Sequence, residues 1–204
     1  MLKISLDKIQ LLFAEIAKNA KLYLPIDNAD GSASYGEWSE GVEWSGNLNT
    51  TKSPKDFFFP QMENLMEFKT DGKNIEVIDT RSETEDFVIF GVRACDVKSF
   101  EILDRVFLVD PVDSYYKSRR EKGVIVSTAC AKPAETCFCK TFGIDPAEPA
   151  GDISAWKTET EIFFQANTEK GEELLKQMVS MDEGAGKLGE CALIPYASPI
   201  SESG

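Results

Sequence analysis

Residues 87–107 read FVIFGVRACDVKSFEILDRVF, and the expected fold is built around this stretch. Phe87 to Gly91 is a short run of β-branched and aromatic residues, which predicts a strand. From Val97 to Phe107, apolar residues recur every three or four positions, which predicts a helix. Cys95 lies between the two elements. A strand followed directly by a helix is typical of an α/β sheet with helices packed on it.

Strands and helices alternate along the rest of the chain. Further strands are predicted at Leu22 to Pro25, Ile75 to Ile78, Gly123 to Ser127 and Glu161 to Gln165. Helices are predicted at Ser5 to Ala20, Tyr115 to Glu121 and Thr168 to Ser180, and a hairpin turn at Thr70 to Asn74. The class is therefore α/β or α+β, with a small mixed sheet, flanking helices and candidate site loops at strand ends.

The length and composition fit one globular domain. The chain has 204 residues, of which 42% are hydrophobic, so it can build a core without disulfides. We expect residues 1–198 to form a single domain and residues 199–204 a frayed tail.

The net charge limits the classes of partner. Lys and Arg number 22 and Asp and Glu number 35, which gives −13. Nucleic acids and anionic lipids need a basic surface, so neither is an expected partner. No apolar run approaches the ~18–20 residues of a membrane span. Asp7, Lys8 and Glu15 interrupt the apolar N-terminus, which indicates an amphipathic helix rather than a signal peptide. We therefore expect a cytoplasmic location, where cysteines serve as ligands more often than as disulfides.

The acidity is unevenly distributed. Gly91 to Lys140 contains nine basic and seven acidic residues, whereas Thr141 to Gly204 contains twelve acidic and four basic ones. A locally basic frame favours an anionic metal cluster, although a fluctuation of this size also occurs by chance.

Four of the five cysteines fall in one 45-residue window, and the chain has no histidine. These candidate ligands are Cys95, Cys130, Cys137 and Cys139. Four thiolates without imidazole indicate an iron–sulfur cluster or zinc. Cys95 and Cys130 each follow a predicted strand, which is where α/β sheets place their sites. The helix beginning near Asp96 directs free N–H groups toward Cys95.

The cysteine spacing leaves several interpretations open. Cys137-Phe138-Cys139 differs from the usual ferredoxin run and is tighter than the usual zinc knuckle. The spacing alone is compatible with an iron–sulfur cluster, with a zinc site and with cysteines that bind no metal. A redox-active pair is a weaker alternative, because so close a spacing strains a disulfide. Cys191 has apolar neighbours and is predicted to be buried and inert.

Several motifs, in one order, resemble a known family. The chain is similar to the N-terminal domain of the iron–sulfur (4Fe–4S dicluster) beta subunits of hydrogenase and sulfhydrogenase complexes and of the A subunit of anaerobic sulfite reductases. The matching segments are Ser53 to Pro60, Gly91 to Val97, Leu103 to Phe107, Tyr115 to Lys117, Arg119 to Glu121, Thr136 to Cys139, Gly151-Asp152 and Glu169 to Leu175.

The resemblance implies a [4Fe–4S] cluster bound by the four clustered cysteines. It implies an electron-transfer subunit of a cytoplasmic, anaerobic multi-subunit oxidoreductase that relays single electrons and is not catalytic alone. Its partners would be a catalytic or electron-carrier subunit in a hetero-oligomer. The ferredoxin-like region that follows in family members has no counterpart in this sequence, which indicates a shortened form or a stand-alone relative. The alternative is a structural zinc or metal-free scaffold domain of a redox complex.

Five features are expected to tune such a cluster. They are the helix N-terminus at Asp96, the charges of Arg93 and Lys98, and cover by Phe138 and the Phe57 to Phe59 segment. The expected role of the three phenylalanines is that of a buried connector, with a shield over a cofactor as the alternative.

Overall fold

The protein is described from a computed structural model, and the description extends over residues 1–180. The strands are β1 Leu2–Ser5, β2 Lys21–Asp27, β3 Ala33–Glu37, β4 Met66–Asp71, β5 Asn74–Asp79, β6 Phe87–Val92, β7 Gly123–Thr128, β8 Ile153–Lys157 and β9 Glu161–Ala166. The α-helices are α1 Ile9–Asn19, α2 Ala94–Phe107, α3 Ser114–Lys122 and α4 Glu169–Ser180. Cys191 and the tail predicted at residues 199–204 lie outside the described residues.

A mixed sheet of seven strands forms the body of the fold, in the order β1-β9-β8-β7-β6-β2-β3. The four central strands β2, β6, β7 and β8 run parallel. Antiparallel pairs close both sides, β2 with β3 and β8 with β9, which also pairs with β1. Strands β4 and β5 form a separate two-stranded hairpin. The α/β class with a mixed sheet and flanking helices is confirmed.

Helices cover both faces of this sheet. On one face α1 and α4 bury Phe13 and Met178 against the strands, and on the other α2 and α3 bury Phe100 and Tyr116. All six residues of β6 are buried, which explains its unbroken apolar sequence. Among residues 1–180, no helix has the length and apolar character needed to cross a membrane.

The N-terminus differs from the prediction. Instead of one helix from Ser5, residues Leu2–Ser5 form strand β1 and α1 begins at Ile9. Leu2 and Ile4 are 1% and 2% exposed because they pack in the core at the edge where β1 pairs with β9. Their partners lie about 160 residues later, so the local sequence does not reveal the strand.

Strand β8 was not predicted from the sequence. Residues Ile153–Lys157 run parallel to β7 and antiparallel to β9, and four of the five are buried. The strands predicted on either side of it, at Gly123 and at Glu161, are confirmed, as is the hairpin turn between β4 and β5.

Candidate metal centre

Cys95 and Cys130 lie at the same edge of the sheet. β6 and β7 are parallel neighbours, so both chains leave the sheet on the same side. Cys95 is the second residue of α2, directly after β6, and Cys130 lies two residues beyond the end of β7. The carboxyl edge of parallel strands is where α/β proteins place ligands.

Cys137 and Cys139 belong to the loop that continues from Cys130. The N–H of Cys137 donates to the carbonyl oxygen of Ala134 at 3.0 Å, and the N–H of Ala134 donates to Sγ of Cys137 at 3.3 Å. Cys139 opens a single 3₁₀ turn, Cys139–Phe142, which ends at Gly143 in a left-handed conformation with φ of 64°. All four cysteines are free thiols.

Backbone hydrogen bonds fix this loop near its beginning and near its end. The N–H of Cys130 donates to the carbonyl oxygen of Pro146 at 2.9 Å, and the N–H of Ile144 donates to the carbonyl oxygen of Cys139 at 3.0 Å. The first bond brings Pro146 back to Cys130, so the loop that carries Cys137 and Cys139 is closed between these two residues.

The four thiols interact electrostatically. Partial burial raises the pKa of Cys95 to about 11, and the charges of Asp96, Cys139 and Cys130 act in the same direction. Burial also raises the pKa of Cys130, with contributions from the charges of Cys139 and Cys137. The charges of Cys130 and Cys139 thus act on Cys95, and those of Cys137 and Cys139 act on Cys130. Within residues 1–180, however, no three Cys, Asp or Glu side chains form a group arranged to hold a metal ion.

Arg93 connects the segments around these thiols. Its Nε donates to the carbonyl oxygen of Leu48 at 2.9 Å and its Nη2 to that of Asn47 at 3.3 Å. Its Nη1 donates to the carbonyl oxygen of Ala129 at 3.5 Å, and the guanidinium opposes the rise in the pKa of Cys130. One side chain therefore links the loop after β3 to the loop that carries Cys130.

The start of α2 is held from a second direction. The Ser53 hydroxyl donates to a carboxylate oxygen of Asp96 at 2.5 Å, and burial raises the pKa of that carboxyl. The backbone N–H of Asp96 opposes the rise in the pKa of Cys95, as expected for a thiol at a helix N-terminus. A polar cavity of about 170 Å³ adjoins this corner, lined by Asp96, Arg93 and Tyr35 among others.

Three of the predicted tuning residues have other contacts. The Lys98 ammonium forms an ion pair with Glu101 at 2.5 Å. Phe138 is 63% exposed and touches the ring of Phe142 at a centroid distance of 5.6 Å. Phe58 is fully buried against Phe87 and Phe100, on the side of the sheet covered by α2. The interpretation as a buried connector therefore holds for Phe58, whereas Phe59 is 48% exposed.

Three of the segments that resemble the known family, those with Asp104, Tyr116 and Arg120, have a structural role. The Tyr116 hydroxyl donates to Oδ1 of Asp104 at 2.7 Å, and the Arg120 guanidinium donates to both oxygens of that carboxylate at 3.0 and 3.1 Å. This group, in which Tyr116 is buried and the Asp104 and Arg120 side chains are 26% and 22% exposed, joins α2 to α3. The sequence analysis did not foresee the carbonyl oxygens of Asn47 and Leu48 or the hydroxyl of Ser53 as parts of the corner. The only local signal for them was a Gly-, Ser- and Asn-rich segment without a period.

Comparison with known proteins gives two separate similarities. The thermophilic metalloprotease (M29) family matches residues 162–204, of which the described part is β9 and α4. Aminopeptidase AmpS of Bacillus subtilis is 63% identical over 35 residues, 17% of this chain and 8% of that protein. Aminopeptidase T of Thermus aquaticus is 46% identical over 43 residues, 21% and 10% respectively. The sequence analysis did not anticipate this similarity.

The longer similarity is to a redox protein. Subunit beta of sulfhydrogenase 2 from Pyrococcus furiosus is 34% identical over 126 residues, 62% of this chain and 36% of that protein. This chain therefore spans about a third of the length of that relative. No solved structure matches the chain. The expected relationship to a hydrogenase beta subunit is confirmed.

Proposed function

We propose that this protein is an electron-transfer module of a multi-subunit oxidoreductase of the hydrogenase or sulfite reductase type. It binds one [4Fe–4S] cluster through Cys95, Cys130, Cys137 and Cys139 and relays single electrons. The observation that carries the proposal is the meeting of the Cys95 and Cys130 loops at one edge of the parallel sheet. The relationship to a sulfhydrogenase subunit supports it.

The residues at this edge fit an iron–sulfur cluster in chemistry. Thiolate is the ligand that such clusters take, and the chain offers four of them with no histidine to compete. The N–H of Asp96 and the Arg93 guanidinium both stabilise thiolate charge there. When bound, the cluster would supply one-electron redox chemistry. Arg93 and the Ser53–Asp96 hydrogen bond would keep the ligand loops in place.

The rest of the assignment follows from this role. The protein acts in a hetero-oligomer, in the cytoplasm of an anaerobic cell, with a catalytic or carrier subunit as partner and without activity of its own. Its iron–sulfur domain extends over residues 1–198. We propose no peptidase activity, because the similarity to aminopeptidases covers only residues 162–204.

A structural zinc site is the second candidate, because four thiolates are also a common zinc ligand set. Zinc would make the domain a scaffold of a redox complex and would leave no electron path through it.

Metal analysis distinguishes the two candidates. Iron, acid-labile sulfide and zinc are measured per chain in protein purified without oxygen, with absorbance spectra before and after dithionite. The proposal predicts about four irons, about four sulfides and a visible band that bleaches on reduction. About one zinc per chain, or no metal, would exclude the electron-transfer role.

A further inference from the structure

The cysteine loop carries an exposed pair of aromatic rings. Phe138 and Phe142 are 63% and 61% exposed, and their rings meet edge to face at a centroid distance of 5.6 Å. Single exposed apolar side chains are common on protein surfaces, but two large rings in contact on one short loop form an apolar surface. We call these two residues the aromatic patch.

The aromatic patch lies beside the proposed ligands. Phe138 is the residue between Cys137 and Cys139, and Phe142 ends the 3₁₀ turn that begins at Cys139. A molecule that rests on the two rings is therefore next to two of the four thiols.

The charge around the patch differs from that of the whole protein. Lys132 and Lys140 are exposed, and neither forms an ion pair within residues 1–180. Between Cys130 and Gly143 the only acidic residue is Glu135, whereas the chain as a whole carries −13. The side chains of this segment sum to +1, so an acidic partner is repelled less here than by the rest of the acidic surface, and the charges favour its approach to the patch.

The size of the patch indicates what kind of partner it fits. Permanent subunit interfaces bury about 2,000 Å² or more, whereas encounters between redox proteins bury less than about 1,200 Å². Two exposed rings on a loop that also carries two exposed lysines offer the aromatic and polar groups of an interface at the small end of this range. They fit a transient encounter.

We infer that the aromatic patch, with Lys132 and Lys140 at its rim, is the docking point for a small acidic one-electron carrier protein. The inference rests on the proposed function. The carrier is oxidised by one electron and the cluster is reduced by one, so no bond is made or broken and no proton is needed.

The charge of the rim is tested with a double variant and a matched control. The test variant is Lys132→Glu with Lys140→Glu, and the control is Lys69→Glu with Lys73→Glu in the β4–β5 hairpin, which changes the net charge equally. Reduction by an acidic plant-type [2Fe–2S] ferredoxin is followed by stopped flow in low and high salt. The test variant loses about tenfold or more of the second-order rate constant in low salt, and added salt no longer slows its reaction, while the control stays within about twofold of the unmodified protein.

The apolar part is tested separately with Phe142→Ser, which leaves the residue between the ligands in place. Its dissociation constant for the oxidised ferredoxin, measured by calorimetry without electron transfer, rises about tenfold. Iron content stays as in the unmodified protein for every variant, which separates docking from cluster binding, and the rate constants are compared after the midpoint potential of each variant has been measured.

The two proposals fail differently. Wild-type rate and affinity in both test variants, with a full cluster, overturn the docking inference alone. Protein that contains no iron overturns the proposed function and the inference together. Concentration-dependent self-association that Phe142→Ser abolishes also overturns the inference, because the patch then binds a second copy of this chain.

Discussion

Gly171 of α4 packs directly against the backbone carbonyl of Asp152, the residue before β8. A Cβ atom at position 171 would overlap that carbonyl oxygen. The Asp152 side chain completes the contact, because it accepts from the N–H of Ile125 at 2.8 Å and from the Thr168 hydroxyl at 2.7 Å. The helix, the central strand β7 and the start of β8 therefore meet at one point.

Gly171→Ala is expected to lower the free energy of unfolding by about 1–3 kcal/mol, because backbone atoms must move to make room for the methyl group. Thermal and urea denaturation measure the effect. Gly46→Ala is the matched control, since a Cβ there meets no atom within 4 Å, and it should change stability by less than about 0.5 kcal/mol. Equal stability of the two variants would contradict the close packing of α4.

Serine at any of the four clustered cysteines is expected to remove or degrade the cluster, because a hydroxyl is a poor substitute for a thiolate ligand. Iron and sulfide content and the visible spectrum measure the loss in Cys95→Ser, Cys130→Ser, Cys137→Ser and Cys139→Ser. Cys191→Ser is the control and should keep about four irons per chain. Full occupancy in Cys137→Ser would remove that residue from the ligand set.

Arg93→Gln is expected to make the midpoint potential of the cluster more negative, because a cation beside Cys130 favours the reduced, more negatively charged state. It should also cost about 1.5–3 kcal/mol of stability through the lost bonds to carbonyl oxygens. Redox titration and thermal denaturation measure the two effects.

Arg93→Lys separates these two contributions, since it keeps the charge but not the planar donor set. It should lose stability with a smaller change in potential. Lys98→Gln provides a comparison at an ion-paired side chain that is 42% exposed, where solvent screens the charge. If Lys98→Gln shifted the midpoint potential as much as Arg93→Gln does, the proximity of Arg93 to Cys130 would not explain its effect.

The β4–β5 hairpin is expected to exchange its amide hydrogens at least about 10³ times faster than β6 and β7. Its two strands pair only with each other within the described residues, and no side chain in either is buried. An isolated pair of strands is marginally stable in water, whereas β6 is buried on both faces. Hydrogen exchange followed by mass spectrometry measures both. Comparable protection would mean that another segment covers the hairpin.

Local sequence was sufficient where local contacts form the element. Asp71-Gly72 between alternating residues predicted the hairpin, and Thr168 before an apolar period predicted the start of α4, where its hydroxyl oxygen accepts from the N–H of Gly171 at 3.2 Å. The positions of Cys95 and Cys130 at strand ends were predictable in the same way, because each is set by the strand directly before it.

The features that the sequence did not predict depend on contacts between residues far apart in the chain. β1 depends on β9, and Arg93 depends on carbonyl oxygens more than 40 residues before it. Every residue type has a backbone carbonyl oxygen, so no sequence motif could identify these acceptors.

The pairing of β1 with β9 also constrains how the chain folds during synthesis. The ribosome releases residues 2–5 long before residues 161–164, so the first strand of the sheet waits without its partner while most of the domain is made. Contacts so distant in sequence raise the contact order and slow folding. We therefore expect the parallel centre to form first, and the edge at β1 to close only when β9 has left the exit tunnel.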